Sequence, residues 1–243
     1  MSSEPSKTVV FHTESYKDAK PLLVAVDNVI FGFDASKNKL KVLLFKRQVA
    51  PEAGNWSLIG SFVKSDESAM QAAQRILNKF TGLKDVFLEQ FRTYAEVNRD
   101  PGARVLSIGH YSLIRIDDQN DELVKTFDAK WFDLNKIPEL VIDHRSIVND
   151  ALVLLQEDGR RKPIGFNLLP KKFTIPQLFQ LYQEIYRKPL DDRNFRKKIL
   201  ATDLLIKLEE KDKSGSKKGA FLFQFDENKY KELQTKGFDI QFH

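Results

Sequence analysis

The segment from Ser61 to Leu83 constrains the fold more than any other part of this chain. Glu67 and Arg75 lie within it, and we expect them to form a structural salt link. Gly82 is expected to end a helix as its C-cap. Because six apolar residues recur at helical spacing, that helix should bury one stripe: Ala69, Ala72, Ala73, Ile76, Leu77 and Phe80.

Strand-like runs lie on both sides of this helix. They are rich in apolar and β-branched residues, and the first two predict a hairpin: residues 22–33, 40–47, 56–62, 86–97, 105–116 and 130–132. A closing helix is predicted from Ile147, Val148, Ala151, Leu152, Leu154 and Leu155. Mixed strands with two helices predict an α+β fold for residues 21–158, after an N-terminal tail over residues 1–20.

Composition excludes several classes of site. The 243 residues include no cysteine, which rules out disulfides and thiolate metal sites and fits a reducing cytoplasm. No run of about 18 apolar residues indicates a membrane span. From Gly159 onward there are 19 basic and 11 acidic residues, whereas the preceding part has 20 and 23. The basic C-terminal segment therefore indicates an anionic partner, with an ordinary solvated surface as the alternative.

Residues 159–243 have the pattern of a separate domain that follows a polar boundary at 156–162. Thr174 is a good N-cap with Pro176 in the first turn of a helix. A second helix follows Asp191 or Asp192, and two strand-like runs then flank a basic tip at 209–219. This order of elements is that of a winged helix-turn-helix.

The second helix and the tip supply the candidate DNA contacts. A helix fits the major groove, where Arg can pair with guanine and Asn with adenine, while lysines neutralise phosphates. The candidates are Arg193, Asn194, Arg196 and Lys197 on the helix, and Lys211, Lys213, Lys217 and Lys218 at the tip of the wing. A solvated helix face and a flexible loop remain the alternative.

The segment 61–83 resembles the Nudix box. Glu67, Arg75, Gly82 and Leu83 stand at the spacing of that box, and Ser61 replaces its opening glycine. Where the family places metal-binding glutamates, this chain has Ile76, Lys79 and Phe80. Since magnesium needs oxygen ligands, none of these three can bind it. The resemblance implies an α/β/α sandwich with a mixed sheet, no hydrolase activity, no metal and no cofactor.

The chain from 20 to 230 also resembles the Nudix-related transcriptional regulators, which join a non-catalytic Nudix domain to a winged helix. The stretches that carry this resemblance are 54–60 (GNWSLIG), 98–101 (NRDP) with Arg104 and Val105, Asp143 with His144, and 163–170 (PIGFNLLP). Within that group the chain looks most similar to the arabinose-responsive branch of Bacteroidetes. The resemblance implies a homodimer that binds operator DNA and responds to a small effector, here a sugar such as L-arabinose.

The ligand-binding candidates combine hydroxyl partners with an apolar wall, as a sugar pocket requires. They are Lys46, Arg47, Trp56, Glu67, Glu89, Phe91, Arg92, Arg99, Asp100 and Arg104. Each has a structural alternative: Trp56 in the core, Glu67 in its salt link, and the last three in a turn or dimer contact. We interpret Asp143 and His144 as a helix cap and a packed imidazole.

Two other functions compete with the regulator. An active Nudix hydrolase acting on a nucleoside diphosphate-linked substrate such as ADP-ribose would need several carboxylates around magnesium, and only Glu67 and Glu89 remain. A ligand-binding module whose basic domain contacts protein or RNA would show no preference for a duplex operator.

Overall fold

The computed structural model describes residues 18–83, 86–116, 127–214 and 217–235. The predicted N-terminal tail lies outside these residues except for 18–20. The strands are β1 (Leu23–Asp34), β2 (Lys39–Lys46), β3 (Trp56–Ser57), β4 (Ile59–Phe62), β5 (Phe87–Tyr94), β6 (Val105–Arg115), β7 (Ala129–Asp133), β8 (Phe173–Thr174), β9 (Leu205–Asp212) and β10 (Ala220–Phe225). The helices are α1 (Ala69–Thr81), α2 (His144–Arg161), α3 (Gly165–Leu168), α4 (Ile175–Tyr186), α5 (Asp192–Ala201) and α6 (Glu227–Thr235).

A seven-stranded mixed sheet organises the first domain, in the order β3-β2-β1-β6-β5, with β4 paired to β1 and β7 paired to β2. The long strand β1 runs antiparallel to β2 and parallel to β6. Because successive side chains of a strand point to opposite faces, β1 packs on both sides. Val29 and Phe31 join the core beside α2, and Val26 and Ile30 join the core beside α1. The predicted sandwich of a mixed sheet between helices is confirmed.

Helix α1 forms where its apolar stripe predicts it. Ser68 and Gln71 form a reciprocal capping box at its N-terminus, and Gly82 ends it in the left-handed conformation with φ of 67°. Ala72, Ala73, Ile76 and Leu77 are buried against the sheet. Phe80 departs from the prediction, because it is only partly buried and contacts Phe45 and Phe127.

Helix α2 crosses the segment that the polar pattern marked as a boundary. Residues 156–161 continue the helix, with Asp158 and Gly159 buried. The domain boundary stays a prediction, and the polar residues of this segment make contacts with other elements. Gln156 hydrogen-bonds to the carbonyl of Ile185 in α4, and Asp158 accepts a hydrogen bond from Tyr111 in β6.

The second domain has the predicted winged helix order. Thr174 caps α4 through a capping box, and the side chain of Asp191 caps α5 by accepting from the amide of Asn194. Phe195 and Ile199 form the buried side of α5. The sheet β8-β10-β9 follows, and its hairpin β9-β10 forms the wing.

The two domains share one hydrophobic core, which includes Phe31 and Leu44 of the first sheet and Leu178 and Ile185 of α4. Glu184 adds polar contacts across the same junction. Within the described ranges, no helix has the length and apolar character needed to cross a membrane.

Candidate functional site

A cavity of about 430 Å³ opens beside strands β1, β3 and β4 of the mixed sheet. The end of β2 and the loop after it form one side, Phe80 and Phe127 form an apolar wall, and Arg99, Asp100 and His144 complete the lining. Of the three positions where the box has lost its carboxylates, Phe80 lines this cavity. It brings together four of the ten predicted ligand-binding residues: Lys46, Arg47, Arg99 and Asp100.

The floor of this cavity carries two buried polar side chains that the prediction did not include as ligand contacts. Asp27 in β1 is 6% exposed and His144 at the start of α2 is 3% exposed. The Asp27 Oδ2 atom accepts a hydrogen bond from the Ser107 hydroxyl at 2.5 Å. Its Oδ1 atom lies 3.6 Å from His144 Nε2. Both residues line the cavity, so a carboxylate and an imidazole face the same space.

The orientation of His144 follows from its other ring nitrogen. Nδ1 accepts a hydrogen bond from the backbone amide of Leu58 at 2.9 Å. Since that nitrogen is an acceptor, the ring proton lies on Nε2, which faces Asp27. The prediction of a packed imidazole is therefore confirmed, and the ring in addition presents a donor to the cavity.

Arg99 connects this floor to the start of α2. Its side chain is 4% exposed and donates two hydrogen bonds to Asp143, at 2.6 and 2.8 Å. One guanidinium nitrogen also lies 3.7 Å from Asp27. Burial opposes the charge of Arg99, but the Asp143 carboxylate outweighs it and raises the pKa of the guanidinium. Asp143 is the N-cap residue of α2, as predicted, but its side chain is held by Arg99 and makes no capping hydrogen bond.

The cations at the mouth of the cavity already hold local partners. Lys46 donates to the carbonyl of Gly54 at 2.9 Å and lies 4.5 Å from the centre of the Trp56 ring. Arg47 donates through Nε to the carbonyl of Pro51 at 2.6 Å. These contacts hold the loop between β2 and β3 closed on itself, and they satisfy part of the donor capacity of both side chains.

Two residues of the segment 61–83, Glu67 and Arg75, contact each other directly. Arg75 donates to both carboxylate oxygens of Glu67, at 2.6 and 2.8 Å, which confirms the predicted salt link. The hydrogen bonds from Arg75 lower the pKa of Glu67 to about 2. Among the described residues, no three acidic or histidine side chains cluster in a way that could hold a metal ion.

The other predicted ligand residues lie outside the lining of this cavity. Trp56 packs edge-on against Phe132, and Glu89 forms an ion pair with Lys162 at 3.0 Å. Phe91 packs near Tyr111, Arg92 pairs with Asp150 and Arg104 donates to the carbonyl of Glu96. Three of these residues, Glu89, Phe91 and Arg92, lie on β5, which contributes no residue to the lining, and the sequence pattern could not show which strands border the cavity.

A larger groove of about 900 Å³ lies between the domains, where β10 and α6 approach Lys162 and Phe166. Its acidic lining residues, Asp226 and Glu227, are not buried. Because no charged side chain of this groove is both buried and directed into it within the described part of the chain, the smaller cavity is the better candidate for a specific ligand site.

The candidate DNA-binding residues form an exposed basic surface. Arg193, Asn194, Arg196 and Lys197 are all exposed on α5, opposite its buried residues. Lys213, Lys217 and Lys218 are exposed at the tip of the wing. The position of Lys211 was predicted wrongly, since it lies within strand β9, opposite Phe221, with its ammonium 4.4 Å from that ring.

Comparison with known families matches both parts of the chain. A model described as the NUDIX domain matches residues 21–151. A second, described as the NrtR DNA-binding winged helix domain, matches residues 165–225. The two matches lie on either side of the C-terminal end of α2.

Individual relatives match most of the chain or about half of it. The chain is 27% identical to the ADPR responsive transcriptional repressor NtrR of Acinetobacter baylyi, over 84% of this chain and 82% of that protein. It is 35% identical to the ADP-ribose pyrophosphatase of Methanocaldococcus jannaschii, over 53% of this chain and 72% of that protein. The crystal structure of Shewanella oneidensis NrtR complexed with a 27mer DNA has a TM-score of 0.75 and 26% identity, over 83% and 93% of the two chains.

Proposed function

The chain belongs to the Nudix family, and from this membership we propose that it regulates transcription by sensing a small molecule in its Nudix domain and binding operator DNA through its winged helix. The exposed basic face of α5 carries this proposal. Its four polar residues lie on one side of a capped helix whose other side is buried, as base readout in a major groove requires. The repressor and the DNA-bound relative described above support the same reading.

We further propose that the protein does not hydrolyse nucleotides. Hydrolysis of a diphosphate needs metal ions held by several carboxylates, which offset the charge and activate water. Ile76, Lys79 and Phe80 supply no oxygen ligand, and Glu67 is engaged by Arg75. Because one relative is named an ADP-ribose pyrophosphatase, hydrolysis of ADP-ribose is the activity to measure. Incubating the protein with ADP-ribose and magnesium should release no AMP, and rapid release would show that an active site survives.

The effector is proposed to be a molecule that presents sugar hydroxyls. The names of two relatives support ADP-ribose, and neither supports the arabinose specificity expected from the sequence. The cavity lining carries the cations Lys46, Arg47 and Arg99 and the carboxylates Asp27 and Asp100, and Arg99 is already paired with Asp143. ADP-ribose and L-arabinose share a pentose with adjacent hydroxyls, and titration with each compound separates them.

The operator is proposed to be a palindrome bound by a homodimer in the cytoplasm. Two copies of α5 would then enter successive major grooves, and half-sites would repeat at about one helical turn. Fluorescence anisotropy should show tight binding to duplex DNA from upstream of the protein's own gene cluster and weak binding to a scrambled duplex. If the tested fragment contains the operator and both duplexes bind equally weakly and in a salt-sensitive way, the basic face is only a nonspecific DNA-binding surface.

A further inference from the structure

We propose that Asp27 and His144 form the specificity site for the effector by binding one hydroxyl group between them. This inference rests on the proposed sensing function and names the contact that would select the ligand. The two side chains are buried and both line the cavity, yet no hydrogen bond joins Asp27 Oδ1 to His144 Nε2 across their separation of 3.6 Å.

The chemistry of the pair matches a hydroxyl group. A hydroxyl donates one hydrogen bond and accepts others. Asp27 Oδ1 offers an acceptor, because the other carboxylate oxygen is bound by Ser107. His144 Nε2 offers a donor, because Nδ1 already accepts from Leu58. A hydroxyl oxygen at a hydrogen-bond distance of about 2.8 Å from both atoms satisfies each of them.

The residue beside Asp27 on the neighbouring strand allows the carboxylate to take this position. Gly60 in β4 is paired with Asp27 in the antiparallel register. A Cβ atom at Gly60 would lie 2.4 Å from Asp27 Oδ1 and 2.9 Å from the carbonyl of Val26. Any side chain here would therefore collide with the carboxylate oxygen that faces the cavity. Because Gly60 also lines the cavity, its missing side chain gives the Asp27 carboxylate room at the edge of that cavity.

The same geometry disfavours an anionic group at the floor. The Asp27 carboxylate would repel a phosphate, and Arg99, the nearest cation, is committed to Asp143 through two hydrogen bonds. A phosphate at this position would thus bury two like charges, which costs free energy. The hydroxyl-bearing end of a ligand, rather than its diphosphate, is the part that reaches Asp27 and His144.

Isothermal titration calorimetry of the full chain with L-arabinose and with ADP-ribose tests this site. In His144→Asn the amide oxygen can still accept from Leu58, whereas the donor toward Asp27 is lost. We expect the affinity for the compound that binds to fall by at least about tenfold in His144→Asn and in Asp27→Asn, since a lost hydrogen bond leaves a buried partner unpaired. The matched control is Asp66→Asn, whose side chain is exposed and outside the cavity.

Deoxy analogues distinguish a direct contact from a structural role. One monodeoxy analogue of the sugar should bind wild type at least about tenfold more weakly, and should lose no further affinity in His144→Asn. If every analogue loses the same factor of affinity in wild type and in His144→Asn, the inference is overturned. Unchanged affinity in both folded variants, or ADP that binds as tightly as ADP-ribose, would also overturn it.

Operator binding is measured on the same samples by anisotropy. A wild-type protein that binds neither compound would overturn the hydroxyl site, while sequence-specific DNA binding would still support the regulator. If the wild-type protein instead shows no sequence-specific DNA binding, the proposed function is overturned, whatever the calorimetry shows.

Discussion

Gln156 in α2 donates a hydrogen bond from Nε2 to the carbonyl oxygen of Ile185 in α4, at 3.0 Å. Helix α2 starts at His144 in the ligand cavity, and its C-terminal half packs against the winged helix domain. One rigid element therefore touches both the candidate sensor site and the candidate DNA-binding domain. An effector that binds the two conformations of this junction with different affinity would shift the DNA-binding equilibrium.

Removing this contact should weaken the coupling between ligand and DNA. In Gln156→Ala we expect the ratio of operator affinities with and without effector to move toward one, while the affinity for the effector itself stays close to wild type. The effector is whichever of L-arabinose and ADP-ribose binds, and anisotropy measures the ratio. Gln74→Ala, an exposed glutamine of α1, is the matched control. An unchanged ratio in Gln156→Ala would exclude this contact from the coupling.

If α5 is the recognition helix, removing one of its exposed basic side chains should weaken operator binding. Arg196→Ala should weaken operator binding by about 1–3 kcal/mol and relax specificity at one base pair, if the guanidinium reads a base. The side chain is exposed, so thermal unfolding should not change. Lys136→Ala removes an exposed positive charge from the first domain and should leave operator affinity unaltered. Equal effects of the two substitutions would argue against α5 as the recognition helix.

Restoring a box glutamate should destabilise the protein much more at Ile76 than at Phe80. Ile76 is 2% exposed in the core, so Ile76→Glu should lower the free energy of unfolding by roughly 3 kcal/mol or more. Phe80 is only partly buried and lines the cavity, so a carboxylate there reaches solvent and Phe80→Glu should cost less. Urea denaturation measures both values. The apolar stripe of the sequence did not distinguish the two positions, and a larger loss in Phe80→Glu than in Ile76→Glu would contradict this order.

The salt link of the box predicts a dependence of stability on pH. Hydrogen bonds from Arg75 lower the pKa of Glu67 from 4.5 to about 2. A carboxyl whose pKa is lower in the folded state stabilises that state above its unfolded pKa, and the contribution disappears as the pH falls through the folded pKa. Unfolding free energy should therefore decrease less between pH 4.5 and pH 2 in Glu67→Gln than in wild type. Glu157→Gln, at an exposed position, should keep the wild-type slope.

The order of elements could be predicted from the sequence because each depends on local chemistry. The apolar stripe and Gly82 defined α1, and Thr174 with Pro176 defined the start of α4. The exposed positions of Arg193 and Arg196 followed from the burial of Phe195 and the spacing of a helix. These features require only neighbours within one or two turns.

The ligand site depended on contacts between distant parts of the chain, and the sequence did not provide them. Asp27 and His144 are 117 positions apart in the printed numbering, yet their side chains face each other across 3.6 Å. Asp27 lies with Asn28 between the apolar runs of β1, and a charge inside this buried strand was a signal available in the sequence. The polar residues of 156–162 likewise bind partners in other elements, which their pattern alone did not show.

Reciprocal linkage between effector and DNA tests the central claim most directly. The operator affinity would be measured by anisotropy with and without saturating effector, and the effector affinity by calorimetry with and without operator duplex, using L-arabinose and ADP-ribose in turn. If the Nudix cavity controls the winged helix, one compound should change operator affinity by about 5–150-fold, and the operator should change the affinity for that compound by the same factor. Operator affinity that stays constant while the cavity is saturated would contradict the account.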